Sequence, residues 1–137
     1  MSADLVLAID PGREKCGIAV VHKEQGLIYK TIITTAELFT IVNNLAAAYN
    51  LTTVIIGDGT TTHTAQTALA TITVNGQGLK VIPVNEYRST DEARLLYWVN
   101  NPPRGLKRLI PTSMQVPPVP VDDFVAVILA ERYFKGL

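Results

Sequence analysis

Leu-Val-Leu-Ala-Ile-Asp-Pro-Gly, residues 5–12, combines an apolar run with an abrupt turn. Residues 5–9 show almost no alternation between apolar and polar side chains, which is typical of a strand covered on both faces. Pro11 and Gly12 then end the strand. We therefore predict a buried strand over residues 4–10 that presents the carboxylate of Asp10 at its carboxyl end.

The rest of the chain predicts an α/β protein with the order βββαβαβα. Strands are predicted over 4–10, 17–22, 27–33, 53–57 and 80–84, and helices over 36–49, 62–74, 89–100 and 122–134. Short connections between the first three strands indicate an antiparallel meander, whereas the helical crossovers of the later units require parallel strands. The expected architecture is a mixed five-stranded sheet (three antiparallel strands, then two parallel) flanked by helices, in one domain over residues 1–137.

Two helix starts carry recognisable signals. Thr34 or Thr35 is placed to cap the helix over 36–49. Ser89 and Glu92 have the spacing of a capping box, which predicts Ser89 as the N-cap of the following helix. Residues 101–120 are rich in proline and predict a loop.

Composition excludes several classes of protein. No apolar run approaches the roughly 18 to 20 residues that span a bilayer, and the first residues lack the basic region of a signal peptide. The single cysteine, Cys16, excludes an internal disulfide framework and is expected to be a small buried residue in a reducing, cytoplasmic setting. The 12 basic and 12 acidic residues leave no net charge. The stretch between Glu92 and Asp122 contains no acid, and it is compatible with either a local basic patch or a solvated surface loop.

Several acids fall at the ends of elements, where chemistry concentrates in open α/β sheets. Asp10, Asp58 and Glu86 follow strands, and Asp122 and Asp123 open the last helix. Converging carboxylates can hold two magnesium ions for phosphodiester cleavage. Each acid also has a structural interpretation: turn residues for the first three, and an N-cap with a first-turn acid for the last two. Asp58 is the weakest metal candidate. His63 is a weak candidate for a general base, because a threonine-rich helix start also accepts a histidine without a catalytic role.

Three segments resemble the YqgF-type nucleases, which are described as Holliday junction resolvases or as nucleases of pre-16S rRNA maturation. Residues 8–20 are similar to the family's opening strand, turn and second strand, with an Asp-Pro-Gly form closer to RuvC-type resolvases. Residues 85–93 (Asn-Glu-Tyr-Arg-Ser-Thr-Asp-Glu-Ala) are similar to its Asp-Glu-Arg-Leu-Thr-Thr-x-Glu-Ala stretch, and residues 121–129 to its last helix. The resemblance implies a ribonuclease H-like fold, related to RuvC.

The resemblance also implies a site. Asp10, Glu86 and one aspartate of the last helix would hold Mg²⁺ or Mn²⁺, with Asp122 as the catalytic residue in the YqgF alignment and Asp123 in the RuvC alignment. We predict Asp122, with Asp123 as a second ligand. The chain departs from the family at Asn85 and Tyr87 and in its proline-rich loop, and these changes concern substrate contact more than metal binding.

The leading hypothesis is a nuclease acting on branched DNA or precursor rRNA, in DNA recombination or rRNA processing. Phosphate contacts are expected from basic side chains at Lys15, Arg88, Arg104, Lys107 and Arg108. Paired cuts in a four-way junction would need two active sites and therefore a homodimer. One alternative is a nucleic-acid-binding module that keeps the fold without cleavage. Another is an actin-like nucleotide binder, although that architecture needs two such lobes.

Overall fold

The secondary structure follows the predicted order, with an added two-stranded hairpin between the second helix and the last strand of the main sheet. The computed structural model describes residues 4–59 and 62–136. Its strands are β1 (Leu5–Asp10), β2 (Lys15–His22), β3 (Gly26–Thr34), β4 (Thr53–Gly57), β5 (Thr73–Val74), β6 (Gln77–Gly78) and β7 (Lys80–Val84). Its helices are α1 (Leu38–Tyr49), α2 (Thr62–Leu69), α3 (Ser89–Asn100) and α4 (Asp122–Lys135), with short 3₁₀ turns at Thr35–Glu37, Gly105–Leu109 and Thr112–Met114.

β1 lies at the centre of a five-stranded mixed sheet with the order β3-β2-β1-β4-β7. β1 pairs antiparallel with β2 and parallel with β4, and β7 continues the parallel part beside β4. The predicted division into three antiparallel strands and then two parallel strands is therefore only partly correct. The first three strands do form an antiparallel meander, but β1 also pairs in parallel with β4 and so belongs to both parts of the sheet.

The unbroken apolar run of β1 is explained by cover on both faces of the sheet. Residues 6–9 are fully buried. Val6 and Ala8 join a core cluster with α4, whereas Leu7 and Ile9 join a second cluster with α1 and α2. Alternate side chains of the same strand thus enter two cores, which removes the polar positions that a half-exposed strand would show.

The predicted helix over 62–74 is wrong in its second half. α2 ends at Leu69, and β5 and β6 form a small antiparallel hairpin. Its two central residues, Asn75 and Gly76, have positive φ angles of 52° and 79°, the conformation that Asn-Gly favours in tight hairpins. The Asn-Gly turn thus competes successfully with a threonine-rich segment of low helix propensity, and the predicted fifth strand is β7.

The capping box predicted at Ser89 is also wrong. α3 begins at Ser89 itself, whose hydroxyl donates to the carbonyl of Glu86 at 2.7 Å. Glu92 instead accepts from Arg132 on α4 at 3.0 Å, because α4 packs against α3. Capping contacts occur at Thr34, whose backbone N–H and hydroxyl both donate to Glu37.

Within the described residues, no helix has both the length and the apolar character that crossing a membrane requires.

Candidate active site

The acids that follow β1, β4 and β7 lie at one edge of the sheet, because these strands are parallel neighbours. Asp10 is the last residue of β1, and Asp58 and Glu86 follow β4 and β7. The backbone N–H of Asp58 donates to the carbonyl of Val84 at 3.1 Å, and the N–H of Glu86 donates to Asp58 Oδ1 at 3.2 Å. Asp58 therefore connects the ends of β4 and β7. This structural role agrees with its being the weakest of the predicted metal candidates.

Gly17 brings the start of α4 to the same edge. It lies opposite Asp10 in the register of β1 and β2. A Cβ at this position would overlap the backbone carbonyl of Asp122 and lie 2.8 Å from the backbone nitrogen of Asp123. The missing side chain thus allows the first turn of α4 to pack directly on β2, beside Asp10.

Glu86 is held over two glycines at the end of β4. A Cβ at Gly59 would lie 2.6 Å from Glu86 Oε1, and a Cβ at Gly57 would overlap Oε2. The Gly57 position would also place a Cβ 3.3 Å from the ring of Pro11. These glycines therefore leave the space in which the carboxylate of Glu86 reaches back toward the end of β1.

Burial and neighbouring negative charges raise the pKa values of Asp10 and Glu86. The pKa of Asp10 rises from 3.8 to about 7, first because the group is buried and then because Asp122 and Glu86 are negatively charged. The pKa of Glu86 is raised by burial and by the charge of Asp58. Near neutral pH this edge of the sheet favours a bound proton or a bound cation.

A crevice of about 430 Å³ opens between Asp10 and Asp122. We call it the carboxylate crevice, and it is lined by Asp10, residues 11–15 and Asp122. Asp122 Oδ2 is buried and accepts no hydrogen bond; the closest cation is Lys15 Nζ at 3.5 Å. A buried carboxylate oxygen without a hydrogen-bond donor is costly, and the Lys15 ammonium offsets only part of that cost from the partly exposed side of the crevice.

The donors at this edge have the chemistry of a Mg²⁺ or Mn²⁺ site, since hard divalent cations prefer carboxylate oxygens. Across residues 4–59 and 62–136, however, no group of three or more His, Cys, Asp or Glu is arranged so that it could hold a metal ion. Asp10 and Asp122 share the crevice, and Glu86 acts on Asp10 through its charge. Asp10 and Asp122 are therefore the two predicted site residues that line one crevice.

Asp123 is directed away from the crevice lining. Its Oδ2 accepts from Lys30 Nζ on β3 at 2.6 Å, and its Oδ1 accepts from the backbone N–H of Phe124 at 2.9 Å. Lys30 Nζ also lies 4.2 Å from the centre of the Phe124 ring. The structure thus distinguishes the two aspartates: Asp122 faces the crevice, and Asp123 forms an ion pair that fastens α4 to β3.

The predicted phosphate-binding residues are dispersed. Lys15 lines the carboxylate crevice. Arg88 is exposed beside the ring of Tyr87. The other three (Arg104, Lys107 and Arg108) are exposed at or next to the 3₁₀ turn Gly105–Leu109, and none lines the carboxylate crevice.

Two further arginines border the site. Arg13 lines the carboxylate crevice. Arg94 on α3 lines a neighbouring groove of about 420 Å³ with Lys15 and Asp122. The position of Arg13 directly after Asp10-Pro11-Gly12 is a local signal that could have identified it, whereas Arg94 is identified only by the packing of α3.

Two minor candidates have ordinary surroundings. His63 is exposed on α2, and its backbone carbonyl accepts from the hydroxyl of Thr67. Cys16 is buried, with Sγ 3.4 Å from Thr35 Oγ1, which confirms the expectation of a small buried residue.

Comparison with known proteins shows the fold. The sequence matches no protein-family model and no curated protein. Its structure is similar to a Thermus thermophilus RuvC structure (TM-score 0.57, 13% identity, 96% of this chain and 95% of that chain). It is also similar to T. thermophilus RuvC in complex with Holliday junction substrate (TM-score 0.59, 13% identity, 96% and 94% covered). The chain therefore has a RuvC-like α/β fold, and its assignment to the YqgF-type nucleases stays a prediction.

Proposed function

We propose that this protein is a metal-dependent nuclease that hydrolyses phosphodiester bonds in structured nucleic acid. The observation that carries the proposal is the carboxylate crevice. In it, Asp10 has a pKa raised to about 7 and Asp122 has a buried oxygen without a hydrogen-bond partner. Buried acids that raise the pKa of a neighbouring acid, and of which one oxygen has no hydrogen-bond donor, are characteristic of a functional site.

The substrate class is proposed from two sources. The RuvC structure with a Holliday junction supports branched DNA, and the resemblance to YqgF-type nucleases supports precursor rRNA. Both are structured nucleic acids, and the basic side chains of Arg13, Lys15 and Arg94 lie where a phosphate backbone would approach the crevice. Paired cuts in a four-way junction would require a homodimer.

In the proposed mechanism, Asp10 and Asp122 would hold Mg²⁺ or Mn²⁺, and Glu86 adds negative charge from the β7 side. The chemistry that such a cation would supply when bound is a lower pKa of a water molecule and stabilisation of the charge on the leaving oxygen. Lys15, at 3.5 Å from Asp122, offsets the negative charge of the crevice and offers a donor to a phosphate. Asp58 orients the backbone of Glu86, and Lys30 holds the first turn of α4 in place through Asp123.

The proposal is tested with purified protein, Mg²⁺ or Mn²⁺, and three substrates: a four-way DNA junction, a precursor rRNA and a linear duplex. We expect cleavage of a structured substrate, and a loss of at least about 100-fold in Asp10→Asn and Asp122→Asn, because each removes a charged metal ligand. The matched control is Glu24→Gln, which removes an exposed charge in the turn between β2 and β3.

Two results would contradict the proposal. One is the absence of cleavage of every substrate with either metal, and the other is cleavage that Asp10→Asn leaves unchanged. Salt-dependent binding without metal-dependent cleavage would support the non-catalytic binding module instead.

A further inference from the structure

A second, larger cavity lies beside the carboxylate crevice. This apolar groove, of about 550 Å³, runs between the start of α1 and α2, and its volume falls in the range of about 300–1,000 Å³ that is typical of small-molecule sites. It shares Pro11, Gly12 and Arg13 with the crevice. A single turn of the chain therefore forms a wall of both cavities.

The walls of the apolar groove combine an aromatic ring with a cation. Phe39, in the first turn of α1, is 46% exposed and lines the groove, and its neighbour Leu38 is buried. The hydroxyl of Thr35 donates to the carbonyl of Gly12 at 2.7 Å and so ties this wall to the shared turn. Arg13 is exposed and lines both cavities.

We propose that the apolar groove binds the base of an unpaired nucleotide next to the phosphate that enters the carboxylate crevice. Phe39 stacks on the base, and Arg13 contacts the phosphate that joins the two nucleotides. The proposal rests on the proposed function, of which it defines the substrate: a nucleic acid with an unpaired base beside the cleavage position.

Charge and shape favour this occupant over others. The exposed guanidinium of Arg13 at the shared turn favours a ligand with a negative charge beside its flat apolar part, and a regular duplex keeps its bases stacked and offers only its backbone. Aromatic side chains flanked by cations are typical of sites for unpaired bases, because every base has a face on which a ring can stack. The groove also adjoins the crevice, since both are lined by the turn at residues 11–13.

The test compares two hairpin duplexes that differ at one bulged position, which carries either a normal nucleotide or an abasic one. Binding is measured by fluorescence anisotropy in EDTA, so that no cleavage occurs. We expect the wild-type protein to bind the normal bulge at least about fivefold more tightly, as stacking on one ring predicts. Phe39→Ala should abolish this difference, and Phe39→Trp should retain it. Tyr29→Ala, at an aromatic residue of similar exposure (43%) on edge strand β3, should also retain it.

Equal affinity of the wild-type protein for the two hairpins, or a difference that Phe39→Ala leaves intact, would overturn the base site. No affinity for either hairpin at low salt would overturn the base site, and the cleavage assay with the four-way junction and the precursor rRNA would then decide the proposed function on its own. Discrimination of the abasic bulge in a protein that cleaves nothing with Mg²⁺ or Mn²⁺ would overturn the nuclease alone and support the base site.

Discussion

Asp10→Asn should make the metal-free protein more stable at high pH and change its stability little at low pH. The folded protein raises the pKa of Asp10 from 3.8 to about 7. Between these values the folded state retains a proton that the unfolded state has lost, so stability falls as pH rises. Asparagine does not titrate in this range, so the unfolding free energy of the variant lacks this part of the pH dependence.

The structure sets the size of the effect. A pKa that rises from 3.8 to about 7 corresponds to about 4 kcal/mol of unfolding free energy lost between low pH and pH above 7. Asp10 is not completely buried, and solvent screens part of the interaction. We therefore expect Asp10→Asn to exceed the wild type by about 2 to 3 kcal/mol at pH 8.5 and to differ from it by less than about 1 kcal/mol at pH 4.5.

The assay is urea unfolding in EDTA at intervals from pH 4.5 to pH 8.5, with Glu24→Gln as the control for the loss of an exposed acid. Adding Mn²⁺ at pH 8.5 should then stabilise the wild type more than Asp10→Asn, because a ligand that binds the folded state adds stability by mass action. A stability difference between the two proteins that stays constant over this pH range would refute the electrostatic reasoning. Equal stabilisation by Mn²⁺ would refute the role of Asp10 as a ligand.

Two further substitutions test the packing around the site, and a third tests the end of α1. Gly57→Ala should lower both stability, by about 1 to 3 kcal/mol in urea unfolding, and cleavage, because the added Cβ meets the carboxylate of Glu86; unchanged cleavage would show that Glu86 has no need of this space. Lys30→Met should destabilise the protein by about 2 kcal/mol by leaving Asp123 with a partly buried charge, and a double-mutant cycle with Asp123→Asn should reveal coupling; additive effects would argue against the ion pair. Asn50→Ala should lower the thermal midpoint and cost about 1 kcal/mol, since Asn50 ends α1 with φ 53° and ψ 48°, and Asn50→Gly should be close to the wild type.

Local patterns were sufficient for most of the fold. The continuous apolar run of β1 results from alternate side chains entering two core clusters, and this pattern is visible in any stretch of a few residues. The change of period after β3 likewise marks α1. The error at residues 70–74 arose where two local signals competed, a threonine-rich helix and the Asn75-Gly76 turn that follows it.

The position of Asp10 at a strand end was also determined by the sequence alone, as was the order in which Asp10, Glu86 and Asp122 follow one another. A strand that is apolar throughout and stops at Pro11 places its last residue at a sheet edge. Parallel crossovers then indicate that Glu86 lies at the same edge as Asp10, because parallel neighbours end together, whereas Asp122 reaches this edge through the packing of α4 on β2.

Only the tertiary structure decided which of the two aspartates that open α4 faces the crevice. Asp122 and Asp123 are adjacent and chemically identical in the sequence. Lys30 neutralises Asp123 from a position 93 residues away, and Gly17 admits the first turn of α4 so that Asp122 reaches the crevice. Helix periodicity and turn chemistry are short-range properties that a sequence shows directly, whereas the pairing of a charge depends on which distant side chains the folded chain brings within a few ångströms of it.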